Sequence, residues 1–198
     1  MREQEIREQF QQETTQRVEQ AHNTLKALYQ RNKALYQKDF QQVMVAALQE
    51  YQNRQGADSD KKLKYIYVNC LRTSLETETY EYIIRIMDES EYADRKMVEA
   101  YYVPKYLKEY IETDKAYFTR LIMSKVIRAK KYEVKDFLRE YLWDTYLKPI
   151  PQEIYTVLSE LEISEAFMHV NKAEEVIVGY GEMLERVDEY WRFTVTEK

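Results

Sequence analysis

The hydrophobic pattern of residues 1–53 predicts one long amphipathic helix, with a break inside it as the alternative. This stretch has no glycine or proline and is rich in good helix formers. Its apolar positions first recur three and four residues apart, as in the seam of a heptad repeat. The seam is Val18, Ala21, Leu25, Leu28, Asn32 and Leu35. Further on, the stripe shifts to Tyr36, Phe40, Val43, Ala47 and Tyr51. Such a drift is typical of a straight helix, so we favour a bundle or hairpin helix over a coiled coil.

The chain then changes period twice. Gly56, followed by the capping residues Asp58, Ser59 and Asp60, predicts a helix boundary. The next apolar positions have helical spacing and predict a second helix that ends near residue 77; they are Leu63, Ile66, Tyr67, Cys70, Leu71, Ser74 and Leu75. From Tyr80 onward apolar and polar residues alternate, which favours a β-hairpin over residues 80–102 with a loop at 88–95. A helix remains the alternative there.

Prolines and glycines delimit the elements of the second half. Pro104 suits the first turn of a helix, which we expect to follow it. Another amphipathic helix is predicted over residues 133–147, ended by the two prolines of "LKPIPQE". A helix over residues 153–161 and, after a glycine-containing turn, a final helix over residues 182–192 complete the prediction.

The segment "EAYYVPKYLKEY" concentrates tyrosines in a chain that has 19 of them but 6 phenylalanines. Tyr106 and Tyr110 stand beside apolar positions of the helix after Pro104, so we expect their rings to be buried with hydroxyls near the surface. Tyr101 and Tyr102 are neighbours in an extended segment, which sends one ring inward and the other outward.

These patterns predict a mostly α protein, a helical bundle with a long N-terminal helix; an α+β fold with a small β-hairpin is the minor alternative. Residues 1–55 would form a helical arm or hairpin, and residues 56–198 a compact, mainly helical domain. The composition agrees, because 33% of residues are charged and there are only 3 glycines and 3 prolines.

The cysteine count and hydropathy predict a cytoplasmic protein. Cys70 is the sole cysteine, so it forms no intrachain disulfide, and we expect it to be a buried small hydrophobe. The N-terminal segment "MREQEIREQF" is charged from its second residue, and no run approaches the ~18 apolar residues that cross a bilayer. We therefore expect no membrane association.

Charge is unevenly distributed within a net charge of −5. Residues 104–149 are basic and residues 150–198 are acidic, which predicts that the two segments pack together and neutralise each other. The alternative is a basic face for nucleic acid or another polyanion, with aromatic rings among its cations. Its candidates are Arg120, Lys125, Arg128, Lys130, Lys131 and Lys135.

Catalytic and metal-binding patterns are weak. Glu162, Glu165 and His169 would share a helix face, and Glu19 precedes His22 by three positions, but a paired carboxylate site needs matching half-sites. With 3 glycines the chain lacks a phosphate-binding loop. We predict no cofactor and no metal, and we identify no catalytic residue.

The sequence therefore favours a non-enzymatic protein-binding or regulatory protein. The N-terminal seam would bind a partner or a second copy by helix pairing, with Leu25, Leu28, Asn32 and Leu35 as its contacts. The alternative is a nucleic-acid or polyanion-associated protein that uses residues 115–139. A third hypothesis is a helical-bundle enzyme with an unrecognised site.

Overall fold

A computed structural model describes residues 6, 8–56, 61–95, 97–126, 130–183 and 187–194. The capping residues 58–60 expected at a helix boundary lie outside them. The helices are α1 (Gln11–Arg31), α2 (Lys33–Gln55), α3 (Thr73–Glu76), α4 (Lys105–Lys125), α5 (Lys131–Leu142), α6 (Gln152–Ser159) and α7 (Glu165–His169). The strands are β1 (Leu63–Cys70), β2 (Tyr82–Met87), β3 (Val98–Tyr102), β4 (Lys172–Glu182) and β5 (Val187–Thr194).

The strands form one mixed sheet in the order β3-β2-β1-β4-β5. β1 and β4 run parallel, and the other neighbouring pairs run antiparallel. The predicted helical bundle is therefore wrong: the fold is a five-stranded sheet with helices packed on it. The hairpin expected over residues 80–102 is present, with Tyr82 opposite Tyr102 and Ile86 opposite Val98.

The helix predicted from residue 63 to near residue 77 is also wrong for most of its length, because Leu63–Cys70 is the central strand of the sheet and the helix there, Thr73–Glu76, is short. Ile66 and Val68 face the helices, while Tyr67 and Asn69 face the other side, where they are half-buried and buried. Apolar residues on both faces of this strand, such as Ile66 beside Tyr67, produce a spacing that also fits a helix, so period alone does not separate the two.

The final helix predicted over residues 182–192 is replaced by β5, which pairs antiparallel with β4. Val187 and Trp191 are four residues apart, a spacing that also occurs in helices. The backbone hydrogen bonds of this segment are instead taken by β4, whose residues Val176–Tyr180 are all buried. Tertiary pairing thus outweighs the local pattern.

The long N-terminal helix of the prediction is divided at Asn32, whose backbone (φ −127°, ψ 26°) leaves the helical region. α2 packs its apolar face on the sheet through Phe40, Met44 and Leu48, which are fully buried. Phe40 meets the Tyr102 ring edge-on, with centroids 5.0 Å apart. α1 lies beside α4, and both contribute to the same apolar core as the sheet.

The helix predicted over residues 133–147 is confirmed, although its last turn, Trp143–Leu147, is a π-helix. Two buried tyrosines of the sheet hydrogen-bond to its terminal carbonyls. Tyr180 donates to the Leu147 oxygen at 2.9 Å and Tyr82 donates to it at 3.2 Å. Because the end of a helix leaves carbonyls unpaired, these hydroxyls fix the wide turn against the sheet.

Candidate functional site

An open groove of about 640 Å³ runs along the outer edge of β3, with α2 as its other wall. β3 contributes all five of its residues, Val98–Tyr102; Val103 follows them, and Lys105 closes one end. The helix contributes a stripe at three- and four-residue spacing, which is Asp39, Gln42, Val43, Ala46, Ala47 and Glu50. We call this the β3–α2 groove.

β3 is an edge strand with a regular register to β2 and no bulge. In an antiparallel pair, alternate residues direct their backbone N–H and C=O groups away from the partner strand. Among the described residues, β3 makes backbone hydrogen bonds to no element other than β2. At the strand entrance Arg54 donates to the Met97 carbonyl oxygen at 2.5 Å. Within the described part of the chain, the outward backbone groups of β3 therefore have no backbone partner, and an added chain could pair with them.

The middle of the groove is wide because the α2 side chains that line it there are small. Ala46 is exposed, Val43 is half-buried, and Ala47 is buried. The larger apolar residues of α2 point to the sheet, as the periodicity of an amphipathic helix requires. The groove thus leaves room beside the strand edge for a backbone and short side chains.

The charges around the groove are mainly acidic. Asp39, Glu50 and Glu99 line it, against the single cation Lys105. The Lys105 ammonium is 3.2 Å from an Asp39 oxygen, and both side chains lie at the groove end. Glu50 is largely exposed and pairs with Arg54 along the helix at 2.9 Å. The lining residues thus carry three carboxylates and one cation, although each carboxylate has a cationic partner, Glu99 through Arg85. A basic ligand is complementary to these carboxylates and would compete with their present partners.

The opposite edge of the sheet is less suited to pairing. β4 and β5 change register between Val178 and Gly179, which is a bulge. β5 also carries the charged and exposed residues Asp188, Glu189 and Arg192. Bulges and charges are the features that protect sheet edges from added strands. β3 lacks the bulge and has one charged residue, Glu99, whose carboxylate pairs with Arg85 at 2.8 Å.

A buried carboxylate holds β3 to the helices at one end of the groove. The Glu153 side chain is fully buried and accepts hydrogen bonds from Tyr106 at 2.7 Å and from Tyr102 at 3.2 Å. Burial raises the pKa of Glu153 above its ordinary range, while the two hydroxyl donors oppose this rise. The contact ties β3, α4 and α6 together, so the strand wall of the groove is rigid.

A second buried carboxylate, Asp114 of α4, ties α1 and α5 to the core. Its carboxylate accepts hydrogen bonds from the Tyr141 hydroxyl at 2.8 Å and from the Tyr146 hydroxyl. It also forms an ion pair with the Arg17 guanidinium at 2.5 Å. The Arg17 guanidinium also lies over the Tyr117 ring, 5.0 Å from its centroid. Each buried carboxylate thus accepts hydrogen bonds from two tyrosine hydroxyls, which explains why the core uses tyrosine where phenylalanine would remove these donors.

The residues predicted for partner binding are not grouped on one helix. Leu25 and Leu28 are half-buried on α1, Asn32 lies at the helix break, and Leu35 is exposed on α2. The break interrupts the heptad seam, so the structure does not present it as one continuous stripe.

The basic residues that were predicted for polyanion binding and that the structure describes are exposed, and two of them form ion pairs. Lys125 contacts Glu13 at 3.0 Å, and Lys135 contacts Glu76 at 2.6 Å. The partners come from α1 and α3 rather than from the acidic C-terminal segment. Lys130 lies over the Tyr132 ring, and Arg120 and Lys131 are exposed as well. Arg128 lies outside the described residues.

The carboxylate and histidine residues considered for a metal site are exposed and lie on different elements. Glu162 is in a 3₁₀ turn, whereas Glu165 and His169 are in α7. The described part of the chain has no group of three or more His, Cys, Asp or Glu side chains arranged to hold a metal ion. Cys70 is buried, and its Sγ donates to the Gly181 carbonyl at 3.3 Å.

Sequence reasoning missed the β3–α2 groove, although two signals for it were present. The hairpin expected over residues 80–102 included a second strand just before Pro104, and Ala46 and Ala47 interrupt a row of larger apolar residues in α2. Nothing in the local pattern shows that these two segments lie side by side.

Comparison with protein-family models, curated proteins and solved structures finds no match for this chain. Within the residues that the structure describes, no helix is long and apolar enough to cross a membrane.

Proposed function

We propose that the protein binds an extended segment of a partner protein, which pairs with β3 as an added strand in the β3–α2 groove. The observation that carries this proposal is the regular, unpaired edge of β3 beside a row of small side chains on α2. Strand addition is a common mode of peptide recognition, in which backbone hydrogen bonds supply much of the affinity. The function is non-enzymatic protein binding, at a site other than the N-terminal seam.

The groove also defines the chemistry of the segment. Side chains of an added strand alternate in direction, so every second residue faces α2. The space next to Ala46 and Ala47 accepts small or medium apolar side chains. The residues between them meet the acidic rim formed by Asp39, Glu50 and Glu99. A segment that alternates Ala, Val or Thr with Lys or Arg fits both requirements.

The walls of the groove are ordered before the segment binds. α2 is fixed on the sheet by the Phe40–Tyr102 ring contact, and Tyr102 is held by Glu153. A preformed site loses little conformational entropy on binding, so more of the hydrogen-bond free energy appears as affinity.

A phage-displayed library of random decapeptides, selected against the full chain, tests the proposal. We expect enriched peptides with alternating apolar and basic residues. Their binding is then measured by fluorescence anisotropy with Ala46→Trp, in which the indole fills the groove, and with Ala34→Trp as the matched control. Ala34 is exposed on the same helix and does not line the groove. Ala46→Trp should weaken binding at least tenfold, and Ala34→Trp should leave it unchanged.

Amide hydrogen exchange adds a direct readout of strand pairing. With the selected peptide bound, backbone amides of Val98–Tyr102 should exchange more slowly. The proposal is overturned if selection enriches nothing, if both tryptophan variants bind equally, or if the edge amides show no protection. It is equally overturned if light scattering shows a dimer that Ala46→Trp dissociates, since a second copy would then occupy the groove.

A further inference from the structure

A separate pocket of about 400 Å³ lies between α4, α5 and the turn that follows α3. Its floor is apolar: Val134 and Leu138 are buried, and Leu75 is half-buried. Its volume lies in the range of about 300–1,000 Å³ that is typical of small-molecule sites. It shares no lining residue with the β3–α2 groove, so it is independent of the function proposed above.

The rim of this pocket carries more positive than negative charge. Two helices supply the cations Lys115, Lys131, Lys135 and Arg139, and residues 76 and 78 supply two carboxylates. The Glu76 carboxylate accepts a hydrogen bond from the Lys135 ammonium at 2.6 Å, and the Arg139 guanidinium lies 3.8 Å from the same carboxylate. Lys131 has no carboxylate within ion-pair distance among the described residues. Among the lining residues the four cations therefore outnumber the two carboxylates, although Arg139 also contacts Asp136 at 3.8 Å and Glu140 at 3.6 Å outside the pocket.

The turn at the pocket mouth has an unusual backbone. α3 ends with a hydrogen bond from the Thr79 N–H to the Ser74 carbonyl at 3.0 Å, the pattern of a helix end that normally places glycine in the left-handed region. Glu78 occupies that position instead, with φ 59°, and Tyr80 follows with φ 53°. A non-glycine residue in this conformation is strained, because its Cβ lies too close to the following carbonyl oxygen.

Both strained residues line the pocket. The Glu78 carboxylate lies 2.5 Å from the Lys115 ammonium, and the buried Tyr80 donates its hydroxyl to Glu112. Backbone strain of this kind concentrates at ligand sites, where the surrounding structure holds a side chain in a required place. The strain is thus a second, independent observation at the same pocket.

We propose that this pocket binds an amphiphile with one anionic headgroup. The apolar part lies on Val134 and Leu138, and the headgroup binds Lys131 together with the cations now paired to Glu76 and Glu78. These two carboxylates are the counterions that the ligand displaces. Carboxylate and phosphate headgroups share the required chemistry, and the experiment below separates them.

Two matched fluorescent probes test the proposal on the full chain. 8-Anilinonaphthalene-1-sulfonate and N-phenyl-1-naphthylamine have the same aromatic rings, but only the first carries an anionic group. We expect the sulfonate to bind with one site per chain and at least tenfold more tightly than the neutral amine. Competition with dodecanoate and with dodecyl phosphate then shows which headgroup displaces the sulfonate at lower concentration.

Site-directed variants locate the binding. Thr119 and Thr113 are both exposed on α4, and each hydroxyl donates to the carbonyl four residues before it. Only Thr119 lines the pocket. Thr119→Trp should weaken sulfonate binding at least tenfold, whereas Thr113→Trp should not change it. Lys131→Gln, an exposed change that preserves the fold, should weaken the sulfonate at least threefold and leave the neutral amine unaffected.

The proposal is overturned if the two probes bind with equal affinity, if Thr119→Trp binds the sulfonate as the wild type does, or if Lys131→Gln has no effect. Near-ultraviolet circular dichroism of each variant verifies the native packing. If Thr119→Trp disturbs it, Lys131→Gln and the comparison of the two probes decide the result.

Discussion

The Tyr106 hydroxyl donates to the Glu153 carboxylate at 2.7 Å, inside the protein between α4 and α6. The ring is buried, as its place beside Leu107 indicated, but the hydroxyl points into the core instead of toward the surface. A tyrosine at this position therefore contributes both apolar area and a donor for a buried charge. We expect the loss of the hydroxyl and the loss of the ring to lower the free energy of unfolding by different amounts.

Tyr106→Phe removes only the hydroxyl and should lower the free energy of unfolding by about 1.5–3 kcal/mol, since it takes a donor from a charged acceptor. Tyr106→Ala, which also removes the ring, should cost about 2–4 kcal/mol or more. Urea unfolding measures both values. Tyr110→Phe on the same helix is the control, and it should change stability by less than about 0.5 kcal/mol because that ring is half-buried. Equal effects of the two Phe variants would contradict this role of Tyr106.

Glu153 should make stability depend on pH in a direction opposite to that of an ordinary ion-paired acid. Burial raises its folded-state pKa above the ordinary value of 4.5, so the folded protein holds the proton more tightly than the unfolded chain does. Stability should therefore fall as pH rises from 4.5 through the folded-state pKa, and the loss persists above it. Glu153→Gln should remove this fall.

The measurement is urea unfolding of both proteins from pH 4 to pH 7. The difference in stability between Glu153→Gln and wild type should grow in favour of the variant as pH rises. Glu160→Gln, an exposed change at the end of the same helix, is the control. A constant difference across the range would mean that Glu153 titrates alike in both states.

Asp114 should be one of the most sensitive polar positions in the chain. Asp114→Ala leaves Arg17 and the hydroxyls of Tyr141 and Tyr146 without their acceptor, and we expect a loss of about 3–5 kcal/mol. Asp136→Ala on α5 removes a half-exposed carboxylate whose contact to Arg139 is 3.8 Å, so it should cost less than about 1 kcal/mol. Thermal unfolding compares the two variants, and similar melting temperatures would contradict the ranking.

Glu78→Gly should stabilise the protein. Glycine adopts the left-handed conformation without strain, which should contribute about 1 kcal/mol, whereas the lost contact to Lys115 involves exposed side chains and should cost less than that. Glu78→Ala loses the same ion pair but keeps the strain, so it should not be stabilised. A melting temperature that is higher for the alanine variant than for the glycine variant would disprove the assignment.

Cys70 should be chemically inert in the native protein. Its side chain is 1% exposed, and burial raises the pKa of the thiol to about 12, so almost no thiolate forms at neutral pH. 5,5′-Dithiobis(2-nitrobenzoate) should modify the thiol only at the rate of unfolding, and stoichiometrically in 6 M guanidinium chloride. Rapid modification of the native protein would show that the end of β1 unfolds locally and exposes the thiol.

The local pattern determined the elements whose residues contact mainly their own neighbours in the chain. Pro104 preceded α4, the two prolines after residue 147 ended the helical run of α5, and alternation revealed β2 and β3. The inward Tyr102 and outward Tyr101 also followed from the pleat of an extended chain. Periodicity and proline stereochemistry are local properties, so the sequence alone suffices for them.

Tertiary structure alone decided the sheet and the candidate sites. β1 pairs with β4, which is more than 100 residues away, so no local period in the sequence marks their partnership. The β3–α2 groove likewise joins segments some fifty residues apart. Which backbone edge stays unpaired depends on the order of all five strands, and only the folded chain establishes that order.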